Sequence, residues 1–132
     1  MSLTAVEFCA GGGGQAIGLE MAGFECAGAV EIDAQCCMTL RLNRPKWDVR
    51  QDDMQEVDGA RWRGVDLFAA GVPCPPFSIA GKQLGASDER DMFPTALRLI
   101  SEIQPKAVLL ENVPGFAAAK FEPYHRKSAM QM

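Results

Sequence analysis

Thr4-Ala5-Val6-Glu7-Phe8-Cys9-Ala10-Gly11-Gly12-Gly13-Gly14 decides the fold. Thr4 to Cys9 is a short apolar run of the kind that forms a buried strand. It leads into four consecutive glycines, which neither a helix nor a strand holds comfortably, so the chain must turn tightly there. Gln15 to Ala22 then reads as a helix, with Ile17, Leu19 and Met21 as apolar contacts and Gly23 as its stop. Phe24 to Glu31 returns as a second strand. Asp33 reads as the N-cap of a helix that reaches about Asn43 and ends before Pro45.

The rest of the chain repeats this alternation. Residues 46–64 are polar and rich in turn formers, with a weak strand signal from Trp47 to Val49. Val65 to Ala70 is a buried strand, Met92 to Ile103 a helix, and Ala107 to Leu110 another buried strand. Between them, Gly71 to Asp91 is a long loop with three prolines (Pro73, Pro75, Pro76) and Cys74. A loop longer than about 12–15 residues in a compact domain is usually functional or disordered. Strands alternating with helices predict an α/β domain with a mainly parallel sheet and helices on both faces. Ligands of such sheets bind outside the carboxyl ends of the strands. Glu31, Cys74 and Glu111 directly follow strand ends, so they are expected along one edge.

Composition narrows the class. At 132 residues there is room for one small domain. Hydrophobic residues at 48% and charged residues at 23% exclude a disordered or collagen-like chain. No apolar run approaches the roughly 18–20 residues of a membrane span, so no membrane partner is expected. Residues 1–30 contain no Lys or Arg and so no secretory n-region. Five cysteines, odd in number and without a CxxC pair, argue against a disulfide framework or metal site and for a reduced, cytoplasmic compartment. Cys26, Cys36 and Cys37 are expected to be small buried hydrophobes. All 13 basic residues lie in residues 41–132, against 12 acids there and five in residues 1–40. A free-standing nucleic-acid binder carries a clear basic excess. If this chain acts on DNA, most backbone contacts must come from elsewhere.

Three motifs carry chemistry. Gly11-x-Gly13-x-x-Ala16, after a strand and before a helix, satisfies the dinucleotide-binding pattern, with Glu31 where a ribose-binding acid is expected. NAD and S-adenosylmethionine both bind such frames, and a turn that serves only helix–strand packing has the same composition. Pro73-Cys74-Pro75 sets a thiol on a rigid loop, the exposure a nucleophile needs. Leu110-Glu111-Asn112-Val113 ends a strand, where a partly desolvated carboxyl can have a raised pKa and donate a proton; a solvated turn-capping Glu is the plainer alternative.

Together these segments resemble the DNA (cytosine-5) methyltransferase family over residues 4–123. Glu7-Phe8-Cys9-Ala10-Gly11-Gly12-Gly13-Gly14 is similar to its first motif, with Cys9 where many members have Phe beside the cofactor adenine. Glu31-Ile32-Asp33 resembles the second, where the acid takes the ribose and the next side chain packs on adenine. Asp53 resembles the acid that contacts the adenine amino group, with Asp52 leaving that alignment ambiguous by one residue. Gly71-Val72-Pro73-Cys74, with Phe77-Ser78, Ala80-Gly81 and Asp88-x-Arg90, resembles the nucleophile loop; Pro75 stands where the family often has Gln. Glu111-Asn112-Val113 resembles the catalytic Glu motif. The Pro-Cys loop and this motif, with Cys74 and Glu111 37 residues apart, are the specific part of the match.

The resemblance implies a Rossmann-like S-adenosylmethionine-dependent methyltransferase fold, incomplete at its C-terminus. It implies a cofactor-binding and catalytic domain over residues 1–119 and a truncated tail over residues 120–132. It implies methyl transfer to carbon 5 of cytosine in double-stranded DNA through a covalent Cys74 adduct. Glu111 would act as the acid, and Pro73 and Asn112 would support the two motifs. Cys9, Ala10, Gly11, Gly13, Gly14, Glu31, Ile32, Asp53 and Gly71 would bind the cofactor, released as S-adenosylhomocysteine. The family's Gln-x-Arg-x-Arg motif, target-recognition domain and late cofactor-pocket segment are not in this sequence. The isolated chain is therefore expected to be inactive, either as part of a longer or split enzyme with a complementing C-terminal subunit or as a non-catalytic relic. Action on RNA cytosine and a nicotinamide-dependent oxidoreductase fragment are the further alternatives.

Overall fold

The computed structural model describes residues 2–71 and 92–111. Five parallel strands form one sheet: β1 (Leu3–Phe8), β2 (Phe24–Glu31), β3 (Val49–Gln51), β4 (Leu67–Gly71) and β5 (Ala107–Glu111), in the order β3-β2-β1-β4-β5. The order reverses beside β1, which creates the crevice where ligands of open α/β sheets bind. Three helices make the crossovers: α1 (Gly14–Met21), α2 (Ala34–Asn43) and α3 (Phe93–Ile103). Two 3₁₀ turns, Met54–Glu56 and Gly59–Trp62, fill the connection from β3 to β4.

Local chemistry explains the element ends. Asp33 caps α2 as expected, its carboxylate accepting from the N–H groups of Gln35 and Cys36 at 2.8 and 3.1 Å. Pro94 sits in the first turn of α3, where its missing N–H costs nothing. Gln104 closes that helix in the left-handed region at φ 52°. β3 starts at Val49, two residues after the expected Trp47. The N–H of Trp47 is turned back onto the Arg44 carbonyl at 3.1 Å, and pairing with β2 opens only at Ala29 and Val49.

The sheet is covered on both faces. Val6 and Phe8 of β1 point to the side covered by α3, packing with Val30, Phe68, Trp62, Leu97 and Ile103. Phe8 stacks on Phe68 with centroids 5.2 Å apart and makes a T-shaped pair with Trp62 at 5.5 Å. Ala10 and Ala29 face the other way, against Leu40 of α2. A bulge in β2 opposite Ala5 and Val6 inserts Ala27, so Cys26 and Gly28 serve opposite faces although two residues apart. Of the cysteines expected in the core, Cys37 is fully buried but Cys26 and Cys36 are only half-buried. Cys36 lies about 100° around α2 from Cys37, which turns it off the sheet.

Asp66 ties the amino ends of the sheet. Its carboxylate accepts from the Thr4 N–H at 2.8 Å and pairs with Lys106 Nζ at 3.0 Å. Its backbone carbonyl accepts from the N–H groups of Lys106 and Ala107. The carboxyl ends of the strands lie on the opposite edge. Among the described residues no helix is long and apolar enough to cross a membrane. The expected domain boundary at residue 119 and the tail after it lie outside the described residues.

Candidate functional site

The carboxyl ends of the strands converge on a cavity of about 460 Å³. Cys9 follows β1, Glu31 ends β2, Asp52 and Asp53 follow β3, and Gly71 ends β4; all line it, together with Val30, Ile32, Asp33, Met54 and Met92. Six of the expected site residues therefore meet there or on its rim: Cys9, Glu31, Ile32, Asp53, Gly71 and, beside Gly71, Glu111. In the sheet register Gly71 lies opposite Glu111, and a Cβ added at Gly71 would stand 3.4 Å from Glu111 Oε2 and 3.7 Å from the Cys9 carbonyl oxygen. The glycine lets the ends of β1, β4 and β5 approach each other at the cavity edge.

The glycine loop shapes the site without lining the cavity. Gly11 adopts φ 59° and aims its N–H at Glu31 Oε1, 2.8 Å away. Glu31 Oε2 accepts from the Asp33 N–H, also at 2.8 Å. A carboxylate offers about four lone-pair directions, so two remain for ligand hydroxyls. Gly13, the N-cap of α1 at φ 100°, lies against Leu40, whose Cδ2 a Cβ would meet at 2.7 Å. Ala10 is buried against the same leucine, and Gly14 opens α1. Here the loop does serve helix packing, and through Gly11 it also fixes the acid.

The opposing wall is soft and apolar. Cys9 itself takes a left-handed backbone, φ 54°, and donates its thiol hydrogen to the Met54 sulfur at 3.3 Å. Burial, with Glu31, Glu7 and Asp53 nearby, pushes that thiol up to about 12, so it stays protonated and is no nucleophile. Ile32 is 63% exposed although large and apolar, a free hydrophobic face at the cavity. Asp53 Oδ1 caps the following turn through the Gln55 N–H at 2.9 Å, leaving Oδ2 for a ligand. Asp52 continues the ladder, its N–H bonded to the Glu31 carbonyl at 3.2 Å.

Glu111 is exposed at the end of β5, so the partial burial expected of it is not supplied by the described residues. β5 is an edge strand of the described sheet, and its residues alternate between exposed and half-buried. Pro73, Cys74 and Asn112 lie outside the described residues.

Two features escape the motif reading. Glu7 is 3% exposed, and its Oε2 has no hydrogen-bond partner among the described residues. Burial raises its pKa to about 7. The apolar flanks Val6 and Phe8 signal a strand but not which face closes over its glutamate. Arg98 and Glu102 of α3 hold the turn that follows Asp53; their spacing of four marks a helix pair, without naming what else they bind.

Comparisons with known proteins bear on the family and the fold. Type II methyltransferase M.NgoMIV of Neisseria gonorrhoeae is 56% identical over 124 residues, covering 94% of this chain and 40% of its own length. M.NaeI of Lentzea aerocolonigenes is 48% identical, covering 95% of this chain and 31% of its own length. The chain thus spans well under half of these two relatives. A prophage-encoded DNA modification methyltransferase structure from E. coli superposes with TM-score 0.81 at 29% identity, over 99% of this chain and 38% of that one. The DNMT2 of Spodoptera frugiperda, at 24% identity and TM-score 0.74 over 97% of this chain and 41% of that one, shares the fold. The sheet is that of S-adenosylmethionine-dependent methyltransferases, and with the C-5 cytosine-specific DNA methylase model matching residues 3–132, the chain belongs to that family.

Proposed function

We propose that this chain is the cofactor-binding and nucleophile-bearing part of an enzyme that methylates carbon 5 of cytosine in DNA. The observation that carries the reading is the gathering of Glu31, Ile32, Asp53, Cys9 and Gly71 around one cavity at the carboxyl edge of the sheet, with Glu111 beside Gly71. The donor set suits S-adenosylmethionine. Glu31 has acceptor capacity left for ribose hydroxyls, and Ile32, Met54 and Met92 offer an apolar wall for adenine. Asp53 Oδ2 can accept from its amino group. When bound, the cofactor supplies an electrophilic methyl group.

Cytosine carbon 5 is a poor nucleophile, and Cys74 and Glu111 answer that. The Cys74 thiolate forms a bond to carbon 6, and the carbon 5–carbon 6 π pair shifts to carbon 5. Glu111, as the acid, donates a proton to ring nitrogen 3 and so stabilises the enamine. After methylation, the carbon 5 proton passes to solvent, its bonding pair re-forms the carbon 5–carbon 6 double bond, and the Cys74–carbon 6 bond breaks with its pair returning to the Cys74 sulfur. The base must leave the helix stack for this, at a cost of a few kcal/mol offset by protein contacts.

The chain is acidic overall, at −4. We therefore assign the principal DNA contacts, and target choice, to a complementing segment or subunit carrying the remainder of the enzyme, acting in the cytoplasm. Titration with S-adenosylhomocysteine and, separately, NADH tests the cofactor: a thermal shift with the former alone is expected, and the reverse pattern would overturn the reading. Tritium transfer to DNA is expected to be absent for the chain alone and to appear on adding the C-terminal remainder of a relative such as M.NgoMIV.

A further inference from the structure

Arg98 lies outside the cavity, on α3, yet it binds the segment that carries part of the cavity wall. Its Nη2 donates to the carbonyls of Met54 and Gln55 at 3.1 and 3.3 Å, and its Nη1 to that of Val57 at 3.1 Å. Nη1 also meets both carboxylate oxygens of Glu102, at 2.9 and 2.7 Å. Glu102 Oε1 in turn accepts from the Gly59 N–H at 2.7 Å, so the pair grips the segment at both ends. Met54 anchors the start of that segment in the core, where its sulfur also accepts the Cys9 thiol hydrogen. Its 3₁₀ turn is three residues long, capped by the Asp53 side chain and closed by bonds from the Glu56 N–H to the Asp53 carbonyl at 2.9 Å and from the Val57 N–H to that of Met54 at 3.4 Å. It also carries Asp52, Asp53, Glu56 and Asp58, which share a hollow with Arg50 and Arg61.

We propose that Arg98, braced by Glu102, is a positioning residue for the cofactor: it fixes the turn that presents Asp53 and Met54 to the adenine side of the cavity. The inference rests on the cofactor reading given above. A planar guanidinium can bond several carbonyls and a carboxylate at once, which a lysine ammonium on a flexible stem does not reproduce. α3 also stands in the chain between Cys74 and Glu111, so the helix that joins the two reactive motifs is the one clamped to the cofactor wall.

Calorimetric titration of the 132-residue chain with S-adenosylhomocysteine and with S-inosylhomocysteine, which lacks the 6-amino group, tests this. Wild type is expected to prefer the adenosyl compound. Arg98→Gln is expected to lose about tenfold in affinity for it, near the low end of a charge-assisted hydrogen bond, and little for the inosyl compound. Arg98→Lys keeps the charge and is expected to lose the same preference; it also serves if the Gln variant does not fold. In an Asp53→Asn background, Arg98→Gln should cost nothing further. Equal losses for both ligands, or an unchanged preference, would overturn the positioning role while leaving the cofactor reading intact. A wild-type chain that binds neither compound would remove both.

Discussion

Glu31 grips the backbone on two sides: Oε1 takes the N–H of Gly11 and Oε2 that of Asp33, each at 2.8 Å. One carboxylate thus joins the glycine turn after β1 to the cap of α2, and its position at the cavity follows from both. Glu31→Gln replaces one acceptor by a donor, leaving one of these N–H groups facing an NH2. The expected cost is about 1–3 kcal/mol of stability. Affinity for S-adenosylhomocysteine is expected to fall by at least about tenfold, because the ribose acceptor is lost with it. Urea denaturation and calorimetry measure the two; full affinity in the variant would rule out the ribose role.

Glu7 gives the fold a pH signature. Its folded pKa is raised to about 7 from an ordinary value of 4.5, so the native state holds a proton that the unfolded chain releases. Such a group costs nothing below the unfolded value. Between about pH 4.5 and 7 stability falls as pH rises, by up to about 3 kcal/mol in all, and then levels off. Glu7→Gln should remove that slope and gain stability at pH 8 relative to wild type. Asp66 and Glu102 act in the opposite sense. Their pKa values are lowered, by the Thr4 N–H first and by Arg98 first, so their contribution is lost as pH falls through the acid range. Comparing both chains by urea denaturation across pH 5 to 8 isolates Glu7; parallel curves would refute its buried proton.

Gly28 separates packing from ligand binding. A Cβ there would lie 2.7 Å from Trp62 Nε1, and Trp62 is buried in a T-shaped contact with Phe8. Gly28→Ala is expected to destabilise by about 1–3 kcal/mol through overpacking. The tryptophan fluorescence should shift, while S-adenosylhomocysteine affinity at low temperature stays near wild type. A neutral effect on the melting temperature would show that the indole moves aside freely.

Cys9 should resist alkylation. With its thiol pushed up to about 12 and its hydrogen shared with Met54, it holds almost no thiolate at pH 8. Iodoacetamide at that pH, followed by peptide mapping, is expected to leave Cys9 unmodified in the folded chain and modified in urea. Rapid labelling of Cys9 in the native state would contradict the sulfur–sulfur contact.

The run from Thr4 to Asn43 was legible residue by residue because its signals are local. An apolar strand, a glycine turn, a helix with its stop, a second strand and an Asp33 cap each depend on neighbours a few positions away. Glu31 and Glu111 were legible at the carboxyl edge for a related reason, since in a parallel sheet every strand ends on the same side. Glu111's environment was not: its exposure depends on what lies beside an edge strand. Cys26 misled because a one-residue bulge, invisible in the strand's composition, rotates the residues before it to the other face.

The main element types, the parallel strand direction and the strand ends to within about two residues were therefore determined by the sequence alone, since backbone propensity and short-range patterning decide them. The strand order, the burial of Glu7, the Cys9–Met54 contact and the clamp of Arg98 on the turn after Asp53 were decided only by the tertiary structure. Each joins residues far apart in the chain, and such contacts are set by how whole layers pack, a property that no short stretch of residues carries.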